Sequence, residues 1–409
     1  MMLGVAAALS GCAQNLFSQG ELVPPGRMPG EPQRQAQAAP PPSEPIQGQP
    51  LPAPGQGAPG QTLGTGPVRI ALVAPLTQQG GAASVVGLSL RNAVDMAVSE
   101  TGGADVTVLV KDDQSSPAVA RAVTQAAIGE GAELILGPLF APDVREAARV
   151  ARAANKPMIA FSTDGSVAAR GVYLLSFLVE SYVDRVIDYA AQKGKRSLAA
   201  LIPENDYGNI AAGALQTAAA RNGMRVMTIE RYRPGDAQAA VQRIAQLGGQ
   251  IDALFIAEQA DQMASMSKLL TTNGLDSRKT QILGTGLWND VRALRQPALQ
   301  GAWFAAPENA GFSAFAQRYR ARFHSDPTRI ATLAYDATTL AIALARAQGG
   351  ARYSEGVLTN ASGFNGADGV FRFRADGLNE RGLSVLQISN GATSVVSPAP
   401  RSFAGAGPS

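Results

Sequence analysis

Between Val68 and Ile388 short apolar runs alternate with longer stretches in which apolar residues recur every three or four positions. Val68-Arg69-Ile70-Ala71-Leu72-Val73-Ala74, closed by Pro75, reads as a strand buried on both faces. Val86, Leu90, Ala93, Val94 and Ala97 then fall on one helical face. Further strands are predicted at 106–110, 133–136 and 157–160, with an Ala-rich helix from about Pro117. A bridging helix near 181–193 follows, and the alternation restarts with strands at 197–202, 226–229, 252–256 and 281–283. Regular strand–helix order implies mostly parallel sheets with helices on both faces, and two such series imply two lobes. Phe312, Phe315, Tyr319 and Phe323 form the core-facing stripe of a later helix. A last one is predicted over 327–349, with Asp326 as N-cap, Pro327 in its first turn and Gly349-Gly350 ending it.

The flanks differ in kind. From Gly20 to Gly66 more than half the residues are Pro, Gly or Gln. Such a segment buries too little apolar surface to offset its ordering entropy, so 13–66 is expected to be a disordered tether and 391–409 a disordered tail. At the start, Leu9-Ser10-Gly11-Cys12 resembles a bacterial lipobox behind a short apolar stretch. That makes 1–12 a lipoprotein signal, with Cys12 lipidated and the protein anchored to a membrane on the periplasmic side. No Lys or Arg precedes Cys12, so a basic segment is expected upstream of Met1. Ala13 gives no inner-membrane retention signal, which favours the outer membrane.

Composition narrows the chemistry. Charged residues are 16% of the chain, the formal net charge is +3, and no basic cluster offers a nucleic-acid surface. One cysteine and one histidine exclude the clusters that zinc and redox metals require, and no cofactor is expected. No phosphate-binding loop, dinucleotide fingerprint or nucleophile elbow is present. His324 falls at a helix end, and Asp112-Asp113 precedes a helix-start signal at Ser115-Ser116-Pro117, so both read as structural. No enzymatic activity is expected.

What remains is the set of turns that follow the strands, where open α/β sheets gather ligands. In the first lobe these offer Thr77 and Gln78, then Leu139 and Phe140, then Ser162, Thr163 and Asp164. In the second they offer Tyr207, then Glu258 and Gln259, then Trp288. Hydroxyls, amides and aromatics on facing turns describe a binding site for a small polar or amino-acid-like ligand.

The segment 67–390 resembles the type I periplasmic binding proteins, in particular the Leu/Ile/Val-binding branch. The resemblance is carried by Ile70-Ala71-Leu72-Val73-Ala74-Pro75-Leu76-Thr77, Asp112-Asp113, Leu136-Gly137-Pro138-Leu139, Asp206-Tyr207-Gly208, Ala334-Tyr335-Asp336-Ala337 and Gly366-Ala367-Asp368-Gly369. It implies a clamshell, with one lobe from about 67–178 and 306–375 and the other from about 180–304 and 380–390. Tyr207 matches the aromatic that covers the ligand. The hydroxyl expected for a ligand carboxylate reads Ala141, and the acidic partner of a ligand ammonium reads Gly286. Ser162, Thr163, Asp164 or Glu258 are the substitutes within reach. Gly284-Thr285-Gly286-Leu287-Trp288-Asn289-Asp290 and Gly301-Ala302-Trp303-Phe304-Ala305-Ala306-Pro307 look like the lipoprotein activators of penicillin-binding proteins. That closer resemblance implies a regulator of a peptidoglycan synthase. The alternative it leaves open is the solute receptor of an ABC permease for amino acids or amides.

Overall fold

The computed structural model describes residues 61–78, 81–347 and 349–403. Cys12 and most of the expected tether lie outside them. In chain order the first elements are β1 (Thr62–Leu63), β2 (Val68–Ala74), α1 (Val85–Glu100), β3 (Val106–Asp112), α2 (Pro117–Gly129), β4 (Ile135–Leu136), α3 (Ala141–Ala153), β5 (Met158–Ala160) and β6 (Val172–Leu174). After α4 (Val179–Gln192) come β7 (Ser197–Pro203), α5 (Asp206–Arg221), β8 (Arg225–Tyr232), α6 (Gln238–Gln246), β9 (Ala253–Ile256), α7 (Met263–Thr272), β10 (Gln281–Gly284), α8 (Val291–Leu294) and β11 (Trp303–Ala306). The remainder is α9 (Asn309–Phe323), α10 (Ala331–Ala347), α11 (Glu355–Leu358), β12 (Phe364–Gly366), β13 (Gly369–Phe373), β14 (Asn379–Arg381), β15 (Ser384–Ser389) and β16 (Ala392–Ser397).

Two sheets result, in the orders β1-β3-β2-β4-β5-β6 and β16-β15-β11-β10-β9-β7-β8. Within each, the five parallel strands run second–first–third–fourth–fifth, so the two lobes repeat one plan. Their central strands are near-continuous apolar runs because helices cover both faces. β7 is buried throughout and β2 at all positions but Arg69. One face of the first sheet packs on α1, α9 and α10, the other on α2 and α3. The second sheet is covered by α4 and α5 on one face and by α6 and α7 on the other.

The first helix of each lobe starts by the same device. Ser84 caps α1 by accepting from the Gly87 N–H, and Asn205 caps α5 by accepting from Gly208. A Cβ on either glycine would lie within 2.0 Å of the carbonyl oxygen ending the preceding strand, Pro75 or Pro203. Glycine at these two positions is what lets each helix begin directly over its strand.

Three strands of chain join the lobes: 175–178 before α4, Pro307-Glu308 before α9, and Gly382-Leu383 between β14 and β15. The antiparallel sheet β12-β13-β14 packs Phe371 and Phe373 into the first-lobe core.

Several expectations are corrected. The tether was expected to run to residue 66, yet Thr62-Leu63 pairs antiparallel with Val108-Leu109 of β3, because that edge offers unpaired backbone groups. The tail was expected to be disordered from 391, yet β16 pairs with β15. Ser397 there accepts from Arg185 of α4 at 2.6 Å, and Phe403 lies buried under the Arg372 guanidinium of β13. The helix expected from Pro327 starts at Ala331. The Thr328 N–H is drawn instead to Ser89 Oγ on α1 at 2.8 Å, and Asp326 pairs with Arg320. His324 ends α9 in the left-handed conformation, as a helix-terminal residue.

Candidate functional site between the lobes

Strand order locates the site. In each sheet the first strand sits between the second and third, so the turns leaving its carboxyl end and that of the third diverge and leave a crevice. In the first lobe those turns are 75–78 with 81–84, and 137–140, and in the second 204–205 and 257–262. Of the five exposed large apolar side chains among the described residues, Phe140 lies in one of these turns and Val85 and Leu88 in the first turn of the helix that follows another. Gln78, Thr163 and Gln259 are exposed there too, and Leu139 and Tyr207 are half-buried.

Other sequence candidates are occupied by structure. Thr77 donates its hydroxyl to Asp112 Oδ2 at 2.6 Å, and its N–H and that of Leu76 go to Oδ1, so Asp112 fastens the turn. Ser162 is buried and accepts from the Asp164 N–H, while Asp164 caps a short 3-10 turn and pairs with Arg145 at 3.0 Å. Both oxygens of Glu258 are engaged, one by the Tyr232 hydroxyl at 2.7 Å and one by the Gln259 N–H at 2.8 Å. Trp288 carries no exposed surface. Its indole donates to the Glu258 carbonyl at 3.0 Å and its ring packs toward Phe304 in the second-lobe core. A ligand in the crevice therefore meets neither the Trp288 ring nor a free Glu258 carboxylate.

The Gly284-Thr285-Gly286 stretch is explained by three aromatics. A Cβ on Gly284 would lie 2.3 Å from the Trp288 ring, and one on Gly286 would lie 2.5 Å from the ring of Tyr182 on α4. Between them Thr285 is fully buried and accepts the Tyr207 hydroxyl proton at 2.7 Å. The acidic side chain expected at 286 is thus replaced by a tyrosine ring arriving from another element. Burial pushes the Tyr182 hydroxyl up to about 12 and raises that of Tyr207 further, so both stay protonated.

Behind Tyr182, where the lobes join, lies a charge cluster that the sequence did not reveal. Arg329 bonds both oxygens of fully buried Asp368 at 2.7 Å, and Thr332 donates to the same carboxylate. Its guanidinium lies 4.6 Å from the ring centroids of Phe177 and Phe312, one on each ring. Arg381, also buried, donates from Nε to the Ser176 carbonyl at 3.1 Å and lies over Phe177 at 4.8 Å. Asp336 accepts from the Ala367 N–H at 2.7 Å, and burial pushes its carboxyl up to about 7 against the pull of Arg381. Two arginines and two aspartates thus converge where the chain passes between lobes, with Arg381 Nη1, Nη2 and Asp336 Oδ2 buried and without hydrogen-bond partners. Gly366-Ala367-Asp368-Gly369 and Ala334-Tyr335-Asp336-Ala337 mark the two aspartates in the sequence, and the two arginines gain meaning only from their convergence.

Glu180 carries no sequence motif, although it follows the first crossing. It stands in the first turn of α4, and Gly165 of the first lobe packs against its Oε1. Its charge bears on the Tyr207 hydroxyl, and burial raises its own carboxyl above the usual range. Its Oε2 is shielded from solvent and receives no hydrogen bond.

Among the described residues no helix is long and apolar enough to cross a membrane, and no group of three or more His, Cys, Asp or Glu could hold a metal. A search of curated proteins finds no match. Solved structures with this fold include a putative branched-chain amino acid ABC transporter protein from Rhodospirillum rubrum. It is 18% identical, with TM-score 0.72, covering 80% of this chain and 99% of that one. A branched-chain amino acid ABC transporter periplasmic ligand-binding protein from Burkholderia xenovorans is also 18% identical, with TM-score 0.66 and coverage of 82% and 96%. A branched-chain amino acid transporter substrate-binding protein from Streptococcus pneumoniae, in complex with isoleucine, is 20% identical, with TM-score 0.55 and coverage of 81% and 99%. The family model described as periplasmic binding protein matches residues 67–393, and the two repeated α/β lobes have that family's clamshell architecture. The chain belongs to the periplasmic binding proteins.

Proposed function

We propose that the protein is a non-enzymatic receptor that holds a small solute between its lobes and presents it to an ABC permease from a lipid anchor at Cys12. The observation that carries this reading is that exposed Val85, Leu88 and Phe140 follow first-lobe strands in chain order, as do exposed Gln78 and Thr163, while Gln259 and half-buried Tyr207 follow second-lobe strands. Exposed apolar side chains interspersed with polar groups are the composition of a ligand cleft. The isoleucine held by the Streptococcus pneumoniae protein indicates the size of solute such a cleft accepts.

The synthase-regulator reading drew on 284–290 and 301–307. In the structure their conspicuous residues serve packing: Gly284 under Trp288, Gly286 under Tyr182, and Trp303 edge-on to Tyr189 at 4.9 Å. Residues that drew attention by their type thus have a packing reason, and the solute receptor is the better-supported function. The test is thermal melting of the full-length chain against amino acids, amides and amines, with mass spectrometry of what co-purifies. A solute at a hundred times its dissociation constant adds ~2.7 kcal/mol, which melting resolves. No shift with any solute, together with capture of a peptidoglycan synthase from solubilised envelope, overturns the receptor reading in favour of the regulator.

A further inference from the structure

The three crossings meet around one side chain. Phe177 of the first crossing lies against two guanidiniums, with Arg329 4.6 Å and Arg381 4.8 Å from its ring centroid. Arg329 also reaches Phe312 of α9, just past the second crossing, and Arg381 ends β14 just before the third. The Ser176 carbonyl accepts from Arg381 Nε and from Asn379 Nδ2, both at 3.1 Å. Arg381 thus holds the first crossing both by its backbone and by its ring.

The rest of that guanidinium is unspent. Nη1 and Nη2 are buried and donate to nothing, while Asp336 Oδ2 is buried and accepts from nothing. Strand register puts the two groups on one face of the small sheet. Arg381 stands opposite Phe371, which shares its face with Gly369, and Gly369 stands opposite Gly366. A Cβ on Gly366 would lie 2.3 Å from Asp336 Oδ2, so that oxygen packs on the same face, over β12. The Arg381 guanidinium already leans toward it, 5.6 Å from the Phe371 ring centroid on the strand between. The other groups that bear on the pair are satisfied: Asp368 is bonded by Arg329 and Thr332, and Tyr182 of α4 stays protonated.

We infer that Asp336 and Arg381 form a proton-operated latch on the hinge. While Asp336 keeps its proton, Arg381 stays on Ser176 and Phe177 and stiffens the first crossing. When that proton passes to solvent, Oδ2 accepts from the free Nη groups and draws the guanidinium away, because a desolvated ion pair outweighs a cation–π contact. Burial holds the Asp336 carboxyl up at about 7, so the latch works near neutral pH. The lobes then gain freedom with rising pH, whatever solute the cleft holds.

Spin labels at Gln125→Cys on α2 and Gln216→Cys on α5, both exposed positions, report the separation of the lobes. The full-length chain is used, with Cys12→Ser so that no third thiol is labelled. Double electron–electron resonance should give a broader distribution at pH ~8 than at pH ~6. Over the same interval, hydrogen exchange in 175–178, corrected for its intrinsic rate, should quicken by up to about tenfold, following the ionised fraction of Asp336. Asp336→Asn, nearly isosteric and always neutral, should hold both readouts at their values at the lower pH. Asp113→Asn removes another buried carboxyl pushed up to about 7, outside the cluster, and should leave the pH dependence intact. The melting temperature of each variant reports its folding. Equal distributions and equal exchange at the two pH values in the unsubstituted chain overturn the latch. So does a pH dependence that survives Asp336→Asn or vanishes with Asp113→Asn.

Discussion

Asp368→Ala tests whether the charge cluster where the lobes join holds together as a pair. Asp368 has no exposed side-chain surface, while Arg329 keeps about a third of its own (36%). Breaking a fully buried ion pair from one side costs ~3–5 kcal/mol, because a desolvated charge is left behind. Here the stranded guanidinium retains some solvent and two aromatic faces, which lowers the expected loss to ~2–3 kcal/mol. Arg329→Met strands the fully buried anion instead, so its loss should reach the upper range, ~3–5 kcal/mol. At roughly 2 °C per kcal/mol for a chain of this size, Asp368→Ala should melt about 4–6 °C lower. Circular-dichroism melts and urea titrations of both single variants and the double variant measure this directly. The double variant should lose less than the two single losses combined, since neither charge remains unpaired. Losses that add to within ~0.5 kcal/mol would refute the view that the two residues depend on each other.

Other consequences are as specific. Gly286→Ala drives a Cβ into the Tyr182 ring and should cost ~1–3 kcal/mol, whereas the same change at exposed Gly213 of α5, where a Cβ meets nothing within 4 Å, tests the background; equal losses would remove the steric argument. Burial pushes Asp336 and Asp113 up to about 7, against ~3.9 in an unfolded chain. The folded state thus keeps protons that the unfolded chain has released, and stability falls as pH rises between those values. Melting should therefore be higher near pH ~6 than near pH ~8, and Asp336→Asn should flatten that slope. A chain ending at Asn390 loses β16, the Ser397 acceptor of Arg185 and the Phe403 contact, so it should melt several degrees lower, and an unchanged melt contradicts a structural role for the tail.

How much of this was legible follows from what each residue does locally. β2 and β7 are apolar on both faces, so their runs stand out, and the helices between them carry a strong period. β6 and β14, each three residues long, have no such pattern and exist because neighbouring strands offer backbone partners. β16 was read as tail because its Thr, Ser and Val residues are half exposed on a sheet edge. The turns that bear Gln78, Phe140, Thr163, Tyr207 and Gln259 were legible from their place after strands. Trp288 faces the core although an aromatic beside glycines suits a ligand as well, because sequence does not say which way the ring turns. Glu180 and Tyr182 were passed over for the opposite reason. Tyr182 meets Gly286 from a distant part of the same lobe, and Glu180 meets Gly165 of the other lobe, so neither contact shows in the local sequence.

The tail changes how the two lobes can move. After β16 the chain leaves the second lobe and runs beside the third crossing, where Pro400 approaches Gly382, and it seats Phe403 on Arg372 of the first. The lobes are therefore tied at four places rather than three, and the fourth tie is a short run, 398–402, anchored at both ends by side chains. A hinge of three adjacent strands can bend and also twist. A fourth tie resists any twist that would draw Ser397 away from Phe403, and it leaves bending as the easier motion. Opening of the cleft should then follow a single arc, and the tail sets how wide that arc can be.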